Sequence, residues 1–210
     1  TTEANPPDAP RETWRETTRD FVARVGAQLG INGNYFINDK ETHTELLGLA
    51  VSNGAVVSPW DTTWARFAVN ISKDNEVAFV ERAENGAGTS KTSPETSLYN
   101  ALSGSPMLLR GGKIQTAEGG DRHPRTGVGK TADKKLLLLI ADGRQPGHSV
   151  GMTFHEMAVV MQRHGAMEAL ALDGGGSTTL VIANPIPEVV NVPMPTTLPG
   201  GLTLNAPGIE

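Results

Sequence analysis

Residues 135–176 read KLLLLIADGRQPGHSVGMTFHEMAVVMQRHGAMEALALDGGG, and the order of elements within them decides the fold. Two apolar runs, KLLLLIA and EALAL, have strand length and end in Asp-Gly turn signals, the mark of buried β-strands. Between them Thr153-x-x-Glu156 is a capping box, which predicts a helix over about Thr153 to His164. Phe154, Met157, Ala158 and Met161 fall on one face of that helix, and Gly165 stops it. Strand, helix, strand is a βαβ unit, so the two runs are predicted to be parallel and close together in one sheet. Asp142 closes the first run and Asp173 the second. After Asp173 the chain passes three glycines and three hydroxyl residues, then continues as another apolar strand, LVIA.

Upstream the pattern is one of hairpins. A helix is predicted from about Glu12 to Val25, with Phe21, Val22 and Val25 on one face and Gly26 ending it. AQLGI is a short strand leading into INGNYF. LLGLAVSNGAVVS turns at Asn53-Gly54, the favoured type I′ pair. RFAVNI and EVAFVE flank SKDN as a second hairpin, and residues 82–97 form a polar loop. SPMLLRGGKI turns at Gly111-Gly112, and TGVGKT meets KLLLLIA across a tight ADK turn. The fold class expected is α/β, in the mixed α+β sense: a central mixed β-sheet with several hairpins, one βαβ unit and flanking helices. One domain is expected over 12–183. A polar, Pro-rich segment (1–11) precedes it, and a Pro-rich segment (184–210) packs on the same domain.

Composition narrows the chemistry. A net charge of -5 argues against nucleic acid as partner, because duplex binders carry a basic face. The absence of cysteine removes disulfides, thiolate zinc sites and thiol nucleophiles together. No apolar stretch approaches the roughly 20 residues that cross a bilayer. No signal peptide is seen, and the polar opening reads as a mature or trimmed form.

Ligands of open α/β sheets bind outside the carboxyl ends of strands, where Asp142 and Asp173 both fall. As direct neighbours, the two strands would lie roughly 4.8 Å apart and the carboxylates would share a site. A plain turn accounts for either Asp-Gly alone, but three glycines exceed what turning requires. Asn32 and Asn34 bracket Gly33 at another strand end, and Arg144 sits beside Asp142. Arg122, His123 and Arg125 precede a strand; Arg122 is expected to pair with adjacent Asp121.

Three motifs fail on inspection. GVGKT lacks the first glycine of a phosphate-binding loop, Pro124 standing there, and a strand follows it rather than a helix. HEMAV at His155 lacks the second histidine of a zinc helix. GHSVG matches a nucleophile elbow, but no strand enters it and no histidine follows Asp173.

INGNYF, HPRTGVGKT, LLLIADGRQPGHSVGMTFHEMA and ALDGGGSTTLV, in this order, resemble the phosphodiester glycosidases over roughly Thr17 to Ala183. The resemblance implies an extracytoplasmic hydrolase that cleaves the glycosidic C–O bond of a sugar-1-phosphodiester, releasing free sugar and a phosphate monoester. Phosphate departs readily, so donors around it would do much of the work. The roles it implies place Arg125 and Arg144 on the phosphate. Asp173 or Asp142 would act as nucleophile or base at the anomeric carbon, with Asp173 preferred. Asn32, Gly33, Asn34, Thr126, Gly174, Gly175, Gly176, Ser177 and Thr178 would hold the sugar, while Ser149 and Gly151 are structural. A carboxyl separation of about 5–5.5 Å would predict retention and roughly 6.5–9.5 Å inversion. No cofactor and no metal ligand is implied, and a divalent cation is left open. Two other readings stand beside this one. One is a non-catalytic module that holds an envelope glycan. The other is a metal-dependent phosphodiesterase that cuts P–O with both aspartates as ligands.

Overall fold

A computed structural model describes residues 12–38, 43–61, 64–194, 196–197 and 203–204. The predicted strands Leu136–Ala141 and Ala166–Ala171 form and run parallel, but they are not neighbours. Arg125–Thr131 lies between them and pairs antiparallel with each. The five-stranded sheet runs Lys113–Ile114, Met107–Arg110, Ala166–Ala171, Arg125–Thr131, Leu136–Ala141, with every adjacent pair antiparallel. The expected mixed sheet is thus antiparallel throughout, and the βαβ unit is split by one strand. The cause is the tight turn after Thr131, which folds TGVGKT back onto KLLLLIA and occupies the inner edge first. The fold is sheet-dominated, with two α-helices among the described residues.

Helix α1 (Thr18–Val25) and helix α2 (Phe154–Arg163) each obey their end signals. In α2 both halves of the capping box are made between Thr153 and Glu156. Met157, Ala158 and Met161 bury against Leu108, Leu109, Leu139, Ala169 and Ala171 of the five-stranded sheet. Gly127 makes room beneath them, since a Cβ there would stand 3.0 Å from the Met157 Cε. GVGKT is therefore the narrow middle of a sandwiched strand.

The opposite face of this sheet presents Val128, Leu170 and Leu172 to Val69, with Phe67, Val77 and Phe79 around it. Those partners belong to a six-stranded sheet in the order Ala55–Ser58, Ala50–Ser52, Asn100–Gly104, Phe67–Ile71, Val77–Arg82, Thr92–Ser93. Its far face buries Leu49, Val51, Trp60, Ala68, Val80 and Ala101. Strand alternation makes this possible: Ala68 and Val69 serve opposite faces. Asn53 (φ 51°) and Gly54 (φ 81°) take the left-handed angles that the predicted hairpin requires.

A three-stranded sheet, Pro187–Val189, Leu180–Ala183, Leu29–Ile31, carries the LVIA strand beside the amino-terminal one. α1 rests on it through fully buried Val22. Gly30 permits that contact, because a Cβ would approach Val22 Cγ2 to 2.4 Å. The expected helix from Glu12 is cut to eight residues, Thr13–Trp14 pairing instead with His43–Leu46. Phe21 and Val25 are 41% and 47% exposed, so the apolar face is one residue deep rather than three. Residues 1–11 lie outside the described residues. Among the described residues no helix is long and apolar enough to cross a membrane.

Candidate active site

Asp173 stands two residues past the end of Ala166–Ala171, and its backbone is fixed on both sides. Its N–H donates to the Gly33 carbonyl at 3.0 Å, and its own carbonyl accepts from Asn32 Nδ2 at 2.7 Å. Asn32 Oδ1 accepts from Thr126 Oγ1 (2.6 Å) and from the Thr179 N–H (3.2 Å). One half-buried amide thus staples three strand ends together. The Gly174 N–H donates back to Asp173 Oδ1 at 2.8 Å, and Gly175–Ser177 closes as a single 3₁₀ turn. Burial raises the Asp173 pKa above its ordinary value of 3.8, against the opposing hydrogen bonds from Ser177 and Gly174.

The three glycines answer to close packing rather than to turning alone. A Cβ on Gly174 would lie 2.7 Å from the Pro124 carbonyl oxygen, and Gly175 needs φ +60°. Over Gly175 lies Arg144, whose Nη1 would be 3.3 Å from a Cβ built there. Arg144 Nε donates to His123 Nδ1 at 3.1 Å, which leaves the His123 proton on Nε2. Burial, then Arg144 and Arg125, lower the His123 pKa below 6.5, so the ring is neutral at neutral pH.

Arg125 begins the strand Arg125–Thr131, and its guanidinium lies 3.8 Å from the centre of the Phe154 ring. Its Nε donates to the Met152 carbonyl (3.0 Å) and its Nη2 to the Asp121 carbonyl (3.1 Å). Burial lowers the Arg125 pKa, and the charge of nearby Arg144 lowers it further. Among the described residues neither arginine forms an ion pair with a carboxylate. Tyr35 completes the ring of groups. Its hydroxyl donates to the Ser105 carbonyl at 2.9 Å, and burial followed by the charge of Asp173 pushes its pKa up to about 12.

Asp142 has a different environment. Its Oδ1 accepts from Asn191 Nδ2 (2.8 Å), and its Oδ2 from the Val192 N–H (2.9 Å) and His148 Nε2 (3.0 Å). Burial pushes its pKa up, but those three donors outweigh it and hold the carboxyl below 3.8. Asn191 also donates to the Thr178 carbonyl and accepts from the Leu180 N–H, so Asp142 is one end of a clasp. Gln145 Nε2 adds a bond to the Val192 carbonyl, and Met194 comes to rest against Gly176 and Arg144.

The structure therefore gathers Asp173, Arg125, Arg144, Gly174, Gly175, Gly176 and Ser177 at one place. The Arg125–Thr131 strand separates Asp142 from Asp173 by two strand spacings, roughly 9.6 Å. Asn32, Thr126 and Asn34 support the site from beneath. Asn34 Nδ2 bonds the Leu49 carbonyl and Ser103 Oγ. Thr178 is buried, with its hydroxyl turned away from solvent. Arg122 pairs with Glu156 of α2, not with Asp121. Ser149 Oγ donates to the Asp142 carbonyl, and Gly151 (φ +90°) packs on the His123 backbone, so GHSVG is a structural loop. Tyr35, His123, Asn191 and Met194 lie at the site without a role from sequence reasoning. Tyr35 was within reach as the aromatic of INGNYF, whereas nothing in the Pro-rich tail marked Asn191. Among the described residues no three His, Asp or Glu side chains group as a metal site would.

A family model described as phosphodiester glycosidase matches residues 25–202. The chain is similar to N-acetylglucosamine-1-phosphodiester alpha-N-acetylglucosaminidase of Mus musculus, 27% identical over 187 residues, 80% of this chain and 34% of the relative. The protein of that name from Bos taurus is also 27% identical over 187 residues, covering 80% of this chain and 33% of its own length. The chain thus spans about a third of the length of these curated relatives. Among solved structures it is similar to the zebrafish enzyme of that name, a catalytic domain auto-inhibited by its pro-peptide. The TM-score is 0.65 at 26% identity, over 85% of this chain and 60% of that one.

Proposed function

We propose a reaction from one premise: the chain belongs to the phosphodiester glycosidase family. The reaction is hydrolysis of a sugar-1-phosphodiester at the glycosidic C–O bond, giving free sugar and a phosphate monoester, outside the cytoplasm. The observation that carries it is a pair of guanidinium groups, Arg125 and Arg144, without carboxylate partners among the described residues, at the same glycine turn as the half-buried carboxyl of Asp173. Two adjacent cations repel each other until an anion lies between them, and a planar fork suits phosphate.

In this reading the phosphate lies across Arg125 and Arg144, and the anomeric carbon faces Asp173. A new bond forms at that carbon, either from a water whose proton passes to Asp173 or from Asp173 itself. In the second case a water then attacks the same carbon, breaks its bond to Asp173 and frees the sugar. The carbon–oxygen bond to phosphorus breaks, and its electron pair moves onto the phosphate oxygen that the arginines hold. Phosphate leaves without a proton from the protein, so one working carboxylate suffices. Asp142, with both oxygens engaged, is a positioning residue.

Hydrolysis in ¹⁸O-labelled water tests this directly. Label in the released sugar is expected; label in the phosphate would replace the reading with P–O cleavage by a phosphodiesterase. Sugar-phosphodiester binding without turnover would mark a binding module instead. Arg125→Ala and Arg144→Ala are each expected to lower kcat/KM by about 10²-fold. The configuration of the fresh product separates direct water attack, which inverts, from a covalent intermediate, which retains.

A further inference from the structure

Trp64 is 52% exposed, although indole is the largest apolar side chain the chain has to bury. It is not exposed for want of an anchor. Its neighbour Ala65 is buried, its carbonyl accepts from the Arg66 N–H at 2.9 Å, and Asp61 Oδ2 accepts from the Gly48 N–H at 2.9 Å. Asp61 and the chain from Trp64 to Arg66 are thus held while the ring stands in solvent.

Among the described residues its ring partner is Tyr35, met edge-on with centroids 4.6 Å apart and planes at 70°. Tyr35 is tied to Asp173 from two directions. It follows by two residues Gly33, which accepts the Asp173 N–H, and two residues span at most roughly 7 Å. Its hydroxyl bonds the Ser105 carbonyl, and the Ser105 N–H bonds Ala171, two residues before Asp173. A flat apolar surface therefore stands one aromatic ring away from the carboxylate.

We infer that Trp64 is a stacking platform that takes the C–H face of a pyranose ring beside Asp173. The inference rests on the sugar-phosphodiester reading and gives it a subsite for the sugar half, distinct from the arginines that face the phosphate. Pyranoses with equatorial hydroxyls present an apolar face of axial C–H groups, and an indole covers one ring of that size. The edge contact with Tyr35 fixes the indole plane in advance, so little side-chain freedom is lost on binding.

An NMR titration of the intact chain tests this, with N-acetylglucosamine, glucose and inorganic phosphate as separate probes. At least one sugar is expected to shift the Trp64 indole N–H signal saturably. Trp64→Ala should weaken that sugar about tenfold and Trp64→Phe about threefold, with phosphate affinity unchanged in both. Sugar affinity undiminished in Trp64→Ala, no sugar binding in the wild type, or joint loss of sugar and phosphate affinity would each overturn the subsite. Kinetics keep it apart from the reaction. Turnover with an unaltered KM in Trp64→Ala defeats the subsite alone, whereas Trp64-dependent sugar binding in a chain without turnover defeats the reaction alone.

Discussion

At the scale of the residue, two aspartates with the same flanking pattern meet opposite fates. Asp173 is half-buried with two hydrogen bonds and a raised pKa; Asp142, also half-buried, is gripped by three donors and its pKa is lowered. Asp173→Asn keeps the backbone bonds to Asn32 and Gly33, so it should fold while kcat falls by about 10³-fold or more. A carboxylate acting in its ionised form, with its pKa above 3.8, places the acidic limb of the kcat/KM profile above that value. The same shift has a consequence for stability. A raised folded-state pKa favours the neutral carboxyl, so its contribution is full below 3.8 and is lost as pH rises through the folded value. At neutral pH the ionised group opposes folding, and Asp173→Asn should therefore melt above wild type there and converge with it in acid. Equal Tm values at pH 7 would show that burial does not strain this group.

At the scale of the element, the loop from Asp142 to Gly151 and the segment from Val190 to Met194 hold each other over the glycine turn. Asp142 contributes stability above 3.8, and that contribution is lost as pH falls through its lowered folded value. The protection of the Val192 N–H against hydrogen exchange, relative to an unstructured amide at the same pH, should accordingly fall in acid in the wild type and be low at every pH in Asp142→Ala. Asp142→Asn, which retains an acceptor for Asn191, is expected to keep kcat within about tenfold of wild type; a loss as deep as that of Asp173→Asn would return Asp142 to the chemistry. In α2, Thr153→Ala removes half of a capping box and should cost about 1 kcal/mol in urea unfolding.

At the scale of the molecule, two sheets meet almost backbone to backbone. A Cβ on Gly104 would fall 2.2 Å from the Ala171 carbonyl oxygen, which also accepts the Ser105 N–H. Gly104→Ala has no flexible neighbour to displace and should destabilise by about 2–3 kcal/mol with an unchanged m-value. The sequence by itself determined what depends on adjacent residues. Asn53-Gly54 and Gly111-Gly112 impose left-handed angles, Thr153 and Glu156 satisfy each other's backbone, and alternation assigns each strand two faces. It also carried the family, because INGNYF, HPRTGVGKT and ALDGGGSTTLV are local strings. Only the tertiary structure decided which strand lies inside the βαβ unit and which polar groups remain available to a ligand. Asn32 reads as a donor at a strand end until Thr126, 94 residues away, and Asp173, 141 residues away, occupy it. Asp142 reads like Asp173 until Asn191 and Val192 arrive from a Pro-rich tail without periodicity. A hydrogen bond is satisfied by whatever the fold brings within about 3 Å, and sequence separation places no bound on that.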